Sequence, residues 1–231
     1  MGILSFFLRR QLVSEYQNLR DIQRALGQEL LDLLPRNAML DSAKKLGLRK
    51  GKKTIILRDP DEMAVIMDYS LYSFRFGGKT IIERYREKSP PPAGSDKMLL
   101  LEAMERSHYS VFMVKDVRRK LGVTLYDLIR NRTFPIIDLG LGSSAVPGTF
   151  FGGRILPLRS YCMTSGAFLP LRSEVMERRV IPILERFLGG VGADEEYVFS
   201  PSREAAFSTE IIRAALKSGA KDYILYADSR R

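Results

Sequence analysis

The chain has 231 residues, 45% of them hydrophobic and 28% charged, an ordinary balance for a globular protein with one large domain or two small ones. No apolar run approaches the roughly 18 residues that cross a bilayer, and the first residues lack the order of a secretory signal. The single cysteine excludes an internal disulfide, which favours a cytoplasmic location. The formal net charge of +10 is concentrated in residues 1–60 (twelve Lys/Arg, six Asp/Glu) and 109–171 (eight and three), which favours a polyanionic partner.

Residues 5–34 show the pattern of one long amphipathic helix, which Pro35 ends. Its apolar side chains recur three, four or seven residues apart and share one face: Leu12, Tyr16, Leu19, Leu26, Leu30 and Leu33. A helix of about 30 residues is about 45 Å long. Because the rest of residues 1–88 is too small to cover that length, we predict that part of the stripe packs against a second copy in a homodimer.

A strongly basic stretch follows the short helix predicted at 38–46. Residues 44–58 carry seven positive charges and no acidic residue, on the end of that helix, a turn and a strand predicted at 54–57. Such a run is either a solvated basic face or a surface that contacts phosphates. The second interpretation predicts backbone binding by Lys44, Lys45, Arg49, Lys50, Lys52, Lys53 and Arg58.

Residues 89–95 combine three prolines with a following Gly-Ser pair, which is typical of a linker. The linker therefore divides the chain into a mainly helical, basic amino-terminal domain at 1–88 and a second domain at 96–231. Within the amino-terminal domain, a third helix is predicted to begin at 59–62, and residues 80–85 are ambiguous between helix and strand.

Residues 109–171 are the most informative segment, because they contain short runs rich in β-branched and aromatic residues, separated by Gly- and Pro-containing turns. The predicted strands cover residues 109–117, 123–129, 133–139, 149–158 and 161–169. Strands this short and this closely spaced usually curl into a small barrel or a twisted sheet. With helices predicted at 173–188 and 201–218, the fold class is α+β: amino-terminal helices, a small β-barrel-like module and carboxy-terminal helices packed on it.

Groups that perform catalysis or bind metals are scarce. His108 and Cys162 are the only residues of their types, which disfavours a zinc site and a Cys–His nucleophile. Aspartates near predicted strand ends are expected to accept hydrogen bonds from local backbone amides. These are Asp116, Asp127 and Asp138.

The Gly-rich segment 140–148 superficially resembles a nucleotide-binding loop. It lacks the Gly-Lys-Ser/Thr ending of a P-loop and leads into a strand, so we predict a turn between strands. The expectation is a non-enzymatic protein with no catalytic residue, metal or cofactor. An enzyme acting on a phosphorylated small molecule would have this segment as its only support.

The β module adds basic residues at its turns, of which Arg118, Arg119 and Lys120 are predicted to bind nucleic acid. Six aromatic residues of the module either stack bases or fill its core: Tyr109, Phe112, Tyr126, Phe134, Phe150 and Phe151. The leading prediction is a cytoplasmic, non-enzymatic protein that binds the phosphate backbone of RNA or DNA. The alternative is a protein-interaction or scaffold module that uses the long helix and the β platform.

Residues 84–171 resemble a β-rich module of poorly characterised bacterial proteins. The resembling segments are 109–114, 123–129, 146–148 followed by 154–157, and 164–167. Some of those relatives also carry an SEC-C zinc motif, whose cysteines this chain lacks. The resemblance therefore implies neither zinc binding nor a catalytic residue here.

Overall fold

Helices surround a closed β-barrel in the computed structural model of the protein. The structure describes residues 2–51, 54–57, 59, 61–189 and 196–217, and for residues 2–8 it describes the backbone alone. Amino-terminal helices, a small barrel and carboxy-terminal helices together confirm the predicted α+β class.

The chain before the barrel is mainly helical. Its elements are α1 (Gly2–Asp32), α2 (Ala38–Leu46), the short strands β1 (Arg49–Lys50) and β2 (Thr54–Ile55), α3 (Asp61–Tyr72), α4 (Ile81–Lys88) and α5 (Asp96–Glu105). The α2 helix ends where Gly47 takes a φ of 79°, a left-handed conformation that glycine adopts readily. The ambiguous residues 80–85 are helical because Thr80 and Glu83 form a capping box at the start of α4.

The barrel consists of five strands: β3 (His108–Arg118), β4 (Gly122–Asp127), β5 (Arg132–Ile137), β6 (Phe150–Pro157) and β7 (Cys162–Thr164). Their order around the barrel is β3-β4-β5-β7-β6, and β6 pairs with β3 to close it. Neighbouring strands are antiparallel except β5 and β7, which are parallel. A last strand, β8 (Leu169–Leu171), pairs with the first part of β6.

The long strand β3 lets the sheet close on itself. Its residues 108–113 pair with β6 and its residues 112–118 pair with β4, with a register shift between Val114 and Asp116. Such a bulge increases the local twist and bends the strand. The interior is filled by apolar side chains that include Phe112, Val114, Val123, Leu125, Phe134, Ile136, Ile155 and Cys162.

A short helix, α6 (Leu139–Ser144), lies between β5 and β6. The prediction of a plain turn between strands at 140–148 is therefore wrong for the first part of that segment. Asp138 starts the helix, because its Oδ1 accepts a hydrogen bond from the backbone nitrogen of Leu141 at 3.0 Å. Gly142 lets the helix lie close to the β3–β4 turn, since a Cβ there would lie 2.5 Å from the backbone nitrogen of Gly122.

The apolar stripe of α1 is covered by the chain itself. Tyr16, Leu19, Leu26 and Leu30 are at most 2% exposed, and only Leu33, at 55%, is largely exposed. They pack in one cluster with α4, α5 and residues of the barrel's outer surface, including Leu156 and Met163. We predicted that part of the stripe packs against a second copy, and this is wrong for these four residues. The prediction considered only residues 1–88 as packing partners, whereas α5 and the barrel also cover the stripe.

The segment 89–95 connects α4 and α5, which pack against each other. Apolar clusters join elements from before and after this segment. The division of the chain into two domains here stays a prediction, which limited proteolysis tests.

After β8 the chain returns to helix: α7 (Ser173–Val175), a π-helical turn (Met176–Val180), α8 (Ile181–Leu188) and α9 (Pro201–Lys217). Pro182 lies in the first turn of α8, directly after the π-helical turn. Since proline has no backbone N–H, this is where a continuous α-helix is interrupted. The α9 helix packs on β3, β6 and β8 and joins α2 to the barrel.

Replacement of Gly153 by alanine is expected to lower the free energy of unfolding by about 1–3 kcal/mol, since overpacking forces neighbours to move. A Cβ there would lie 2.2 Å from Cδ1 of Phe168, whose ring is stacked on Phe112 in the core. Urea denaturation measures the change. Gly27→Ala is the matched control, because nothing lies within 4 Å of its added Cβ, and a helix interior gains about 1 kcal/mol from that change.

Candidate functional site

The β3–β4 turn presents three exposed cationic residues, Arg118, Arg119 and Lys120. The α6 helix fixes this turn. The backbone nitrogen of Lys120, whose φ is 59°, donates to the carbonyl oxygen of Gly142 at 3.1 Å, and Nη1 of Arg119 donates to that of Ser143 at 3.2 Å. The turn is therefore held by its backbone and one arginine, with its charged side chains at the surface.

The first part of α1 lies beside two turns of the barrel. Exposed Arg9 donates a hydrogen bond to the carbonyl oxygen of Arg119, and the hydroxyl of Tyr161, after the β6–β7 turn, donates to Glu15 Oε1 at 3.2 Å. Residues 9 and 15 are about 9 Å apart along a helix. Arg159 of the β6–β7 turn is exposed as well, so the first part of α1 lies beside two turns that both carry exposed cations. We call these cations the basic turn cluster: Arg9, Arg118, Arg119, Lys120 and Arg159.

The outer face of β4 presents an aromatic side chain near the end of the strand that is farther from the β3–β4 turn. Tyr126 is half-buried, Nζ of Lys115 lies 5.5 Å from its ring centroid, and its cross-strand neighbours are Met113 and Thr133. Of the other aromatic residues considered for base stacking, Tyr109, Phe112 and Phe134 are buried in the core. Phe150 and Phe151 are half-buried and line a cavity.

The predicted site residues of the first 60 positions lie elsewhere. Lys44, Lys45 and Lys50 are exposed, whereas Arg49 is half-buried, with Nη1 3.8 Å from Asp41 Oδ1. Lys52, Lys53 and Arg58 fall outside the described residues. Because α2 packs against α3 and α9 while the β3–β4 turn lies beside α1 and α6, the predicted residues form two separate groups.

Sequence reasoning missed a cavity of about 750 Å³ between α1, α3, α6 and the barrel. Its walls are mostly apolar and include Met67, Leu71, Phe150, Phe151 and Phe168. The volume lies within the range of small-molecule sites. No local sequence pattern announces it, because its walls come from segments far apart in the chain.

A buried ion pair holds the cavity wall together. Nη2 of Arg20 lies 2.9 Å from Oδ2 of Asp138, and the two side chains are only 10% and 14% exposed. The hydroxyl of Thr164 donates to the same Oδ2 at 2.6 Å, and Nη1 of Arg20 donates to the carbonyl oxygen of Thr164 at 2.8 Å. Arg20 thereby fixes α1 to the start of α6 and to the end of β7.

A second polar group lies beside the cavity, where Asp68 forms part of the wall. Burial raises the pKa of its carboxyl group, while Arg154 and the Ser165 hydroxyl lower it. Arg154 itself forms an ion pair with Glu204 at 2.8 Å, and its guanidinium lies 4.7 Å from the ring centroid of Tyr72. Asp68 is thus close to a cation that another carboxylate already neutralises.

Ser110, Asp127 and His108 form a buried set of the residue types found in hydrolases, in a different arrangement. The Ser110 hydroxyl donates to Asp127 Oδ1 and not to the imidazole, while His108 Nε2 lies 3.1 Å from Asp127 Oδ2. Asp127 is fully buried and also accepts from the backbone nitrogens of Ile129 and Arg130. Burial lowers the pKa of His108 more than Asp127 raises it. The set therefore organises the turn after β4 and contains no activated nucleophile.

Three further observations concern the chemistry of the described residues. Burial raises the pKa of the Cys162 thiol to about 11, so the reactive thiolate is scarce near neutral pH. Within the described parts of the chain, no three His, Cys, Asp or Glu side chains are grouped to hold a metal ion. No helix in those parts is long and apolar enough to cross a membrane.

The fold and its surface define a helix-flanked β-barrel protein with basic turns at one part of the barrel and a cavity under α1. A family of unknown function (DUF7986) matches residues 10–184, and the chain belongs to that family. The match runs from α1 through the barrel into α8. No curated protein and no solved structure matches the chain. The resemblance to the module of SEC-C-bearing proteins stays a prediction.

Proposed function

We propose that the protein binds the phosphate backbone of a nucleic acid through the basic turn cluster. The topology of the barrel supports this. Numbered within the barrel, its strands follow the order 1-2-3-5-4, the third and fifth strands are parallel, and a helix lies between the third and the fourth. An OB-fold barrel has this topology, and it binds oligonucleotides or oligosaccharides on strands 2 and 3 and the turns between strands 1–2 and 4–5.

The observation that carries the proposal is where the cations lie relative to this topology. The turn between the first two strands holds Arg118, Arg119 and Lys120, and the turn between the fourth and fifth holds Arg159. The second strand presents Tyr126, with Lys115 over its ring. These are the places where an OB-fold meets its ligand, and their chemistry is that of a phosphate-binding and base-stacking surface.

The proposed mode of binding is largely independent of sequence. Exposed arginine and lysine side chains displace counterions from phosphates, and a single aromatic face stacks on any base. The α2 and β1 lysines form a second basic patch that is separate from this surface. The scaffold alternative is weakened for α1, because most of its apolar stripe is used inside the molecule. Self-association of the protein stays a prediction without a surface assigned to it.

We expect the combined change Arg118→Gln, Arg119→Gln and Lys120→Gln to weaken binding to unrelated oligonucleotides about equally. The affinity falls as salt rises, and each lost phosphate contact makes the negative slope of log K against log salt shallower. The change is about 0.7 per contact for single strands and about 0.9 for duplexes. Tyr126→Ala is expected to weaken single-strand binding by about 1–3 kcal/mol, which is the range measured for base stacking. Fluorescence anisotropy of labelled oligonucleotides over a salt series measures both effects.

The matched control is Lys44→Gln, Lys45→Gln and Lys50→Gln, which removes the same charge from the other patch. Equal losses in the two triple variants would mean that net charge alone attracts nucleic acid. A larger loss in the control would move the site to α2 and β1. Absence of binding at low salt would reject the proposal, and capture of a protein partner that survives nuclease and high salt would favour the scaffold alternative.

A further inference from the structure

The cavity under α1 combines aromatic and cationic lining residues. Phe150, Phe151 and Phe168 give it aromatic walls. The cationic side chains of Arg24 and Arg172 also line it, and both residues are exposed, which places them where the cavity opens to solvent. A ligand that fits has a planar apolar body and an anionic end.

Asp68 supplies the polar feature of the cavity that the fold does not use. It lines the cavity, and neither its Oδ1 nor the nearby Oγ of Ser165 makes a hydrogen bond of ordinary geometry with the described residues. Arg154 is the cation that lowers the pKa of Asp68, and it already forms an ion pair with Glu204 at 2.8 Å. A carboxylate oxygen that is buried without a donor is unfavourable, so a ligand that brings an N–H group to Oδ1 gains by satisfying it.

Gly27 shows that the chain leaves this space open. It lies inside the 31-residue helix α1, lines the cavity, and has nothing within 4 Å of the position its Cβ would take. Glycine in a helix interior is about 1 kcal/mol less favourable than alanine. Gly27 has no left-handed φ and no close neighbour that requires glycine. What its missing side chain preserves is cavity volume.

We propose that this cavity binds a planar nitrogen heterocycle that carries N–H donors and is joined to an anionic group, the chemistry of a nucleoside monophosphate. Asp68 accepts the N–H groups at the heterocycle's edge, as carboxylates do with base amino groups. The aromatic walls stack on its faces, and Arg24 and Arg172 bind the phosphate. The site shares no residue with the basic turn cluster, so it does not rest on the proposed function.

Isothermal titration of the full chain with AMP, GMP, CMP and UMP tests the proposal. We expect saturable binding of at least one of them below about 1 mM, and a loss of at least about tenfold in affinity in Asp68→Asn. Asp68→Asn keeps the size of the side chain and removes a charge whose Oδ1 makes no hydrogen bond with the described residues, so the variant is expected to fold. Arg24→Gln is expected to lower the affinity for the nucleotide and to leave the affinity for the matching nucleoside, which has no phosphate, unchanged.

Gly27→Leu and Gly27→Ala form the decisive pair. Leucine adds a bulky side chain at a position that lines the cavity and is expected to weaken binding strongly, whereas alanine is expected to retain it. Both variants keep a good helix-forming residue in α1. Binding unaffected by Gly27→Leu would overturn the proposal, as would failure of all the mononucleotides. Binding of decanoate alone, unchanged in Asp68→Asn, would also overturn it and assign the cavity to an apolar anion.

A free nucleotide and the end of a nucleic-acid strand would bring the same chemistry to the cavity. If the ligand is free, mononucleotide affinity is unchanged when Arg118, Arg119 and Lys120 are replaced, and oligonucleotide affinity is unchanged in Gly27→Leu. If it is a strand end, Gly27→Leu weakens oligonucleotide binding as well. If replacing Arg118, Arg119 and Lys120 changes oligonucleotide binding and leaves mononucleotide binding unchanged, the result concerns the proposed function and not the cavity.

Discussion

Leu26→Asp is expected to unfold the protein and not to separate two copies of it. Leu26 is 1% exposed and packs in a cluster that joins α1 to α4, α5 and the outer surface of the barrel. Loss of a buried leucine side chain costs about 2–5 kcal/mol. A carboxylate at the same place adds the penalty of a buried, unpaired charge. The sum is comparable with the whole stability of about 5–15 kcal/mol of a typical domain.

Circular dichroism and urea denaturation of purified protein measure this effect, and sedimentation reports the mass of the species present. Leu33→Asp is the control from the same apolar stripe, directly after the end of α1, because Leu33 is 55% exposed and its replacement is expected to change stability by less than about 0.5 kcal/mol. A folded Leu26→Asp monomer, formed from a dimeric parent, would contradict the packing described here and restore the stripe as a dimer surface.

Local patterns in the sequence were enough to predict most elements. The apolar spacing of residues 12–33 identifies both α1 and the face it buries, and alternating β-branched residues identify the barrel strands. Asp127 and Asp138 do accept hydrogen bonds from nearby backbone nitrogens, as expected of aspartates beside strand ends. These features depend on neighbours within a few residues, which is why one sequence reveals them.

Pairings between distant segments could not be predicted in the same way. The second oxygen of Asp138 binds Arg20, which is 118 positions away, and Asp68 meets Ser165 beneath α1. The cover of the α1 stripe comes partly from α5 and the barrel, which lie after residues 1–88 in the chain. The cavity follows from these long-range contacts, so its residues carry no local signal in the sequence.

The order of the barrel strands adds information that the basic residues alone did not give. Charge counting ranked the run at 44–58 first, because it is the densest in lysine and arginine. The topology instead favours the shorter groups at 118–120 and 159, since they occupy the turns next to the ligand-binding strands of such barrels. The proposal therefore gives more weight to where a charge lies in the fold than to how many charges stand together in the sequence.

Arg20→Met is expected to lower the free energy of unfolding by about 3–5 kcal/mol, the range found when one partner of a buried ion pair is removed. Methionine retains much of the apolar stem of arginine, but Asp138 loses the cation 2.9 Å from its Oδ2, at a position only 14% exposed. Tyr16, Gln23 and the carbonyl oxygen of Thr164 lose a donor at the same time. Urea denaturation of the purified variants measures the change.

The double variant Arg20→Met with Asp138→Asn separates a lost attraction from a stranded charge. Asparagine still caps α6 through its side-chain oxygen, so the second change removes the charge and keeps the helix start. We expect the double variant to recover a large part of the stability, because a buried carboxylate is unfavourable once its cation is gone. Arg24→Met is the exposed control, since its pair with Asp21 is 56% and 75% exposed and such pairs contribute about 0–1 kcal/mol. If Arg20→Met behaved like Arg24→Met, the contact between α1 and the barrel would rest on apolar packing alone, and the polar wall of the cavity would be free to change without loss of the fold.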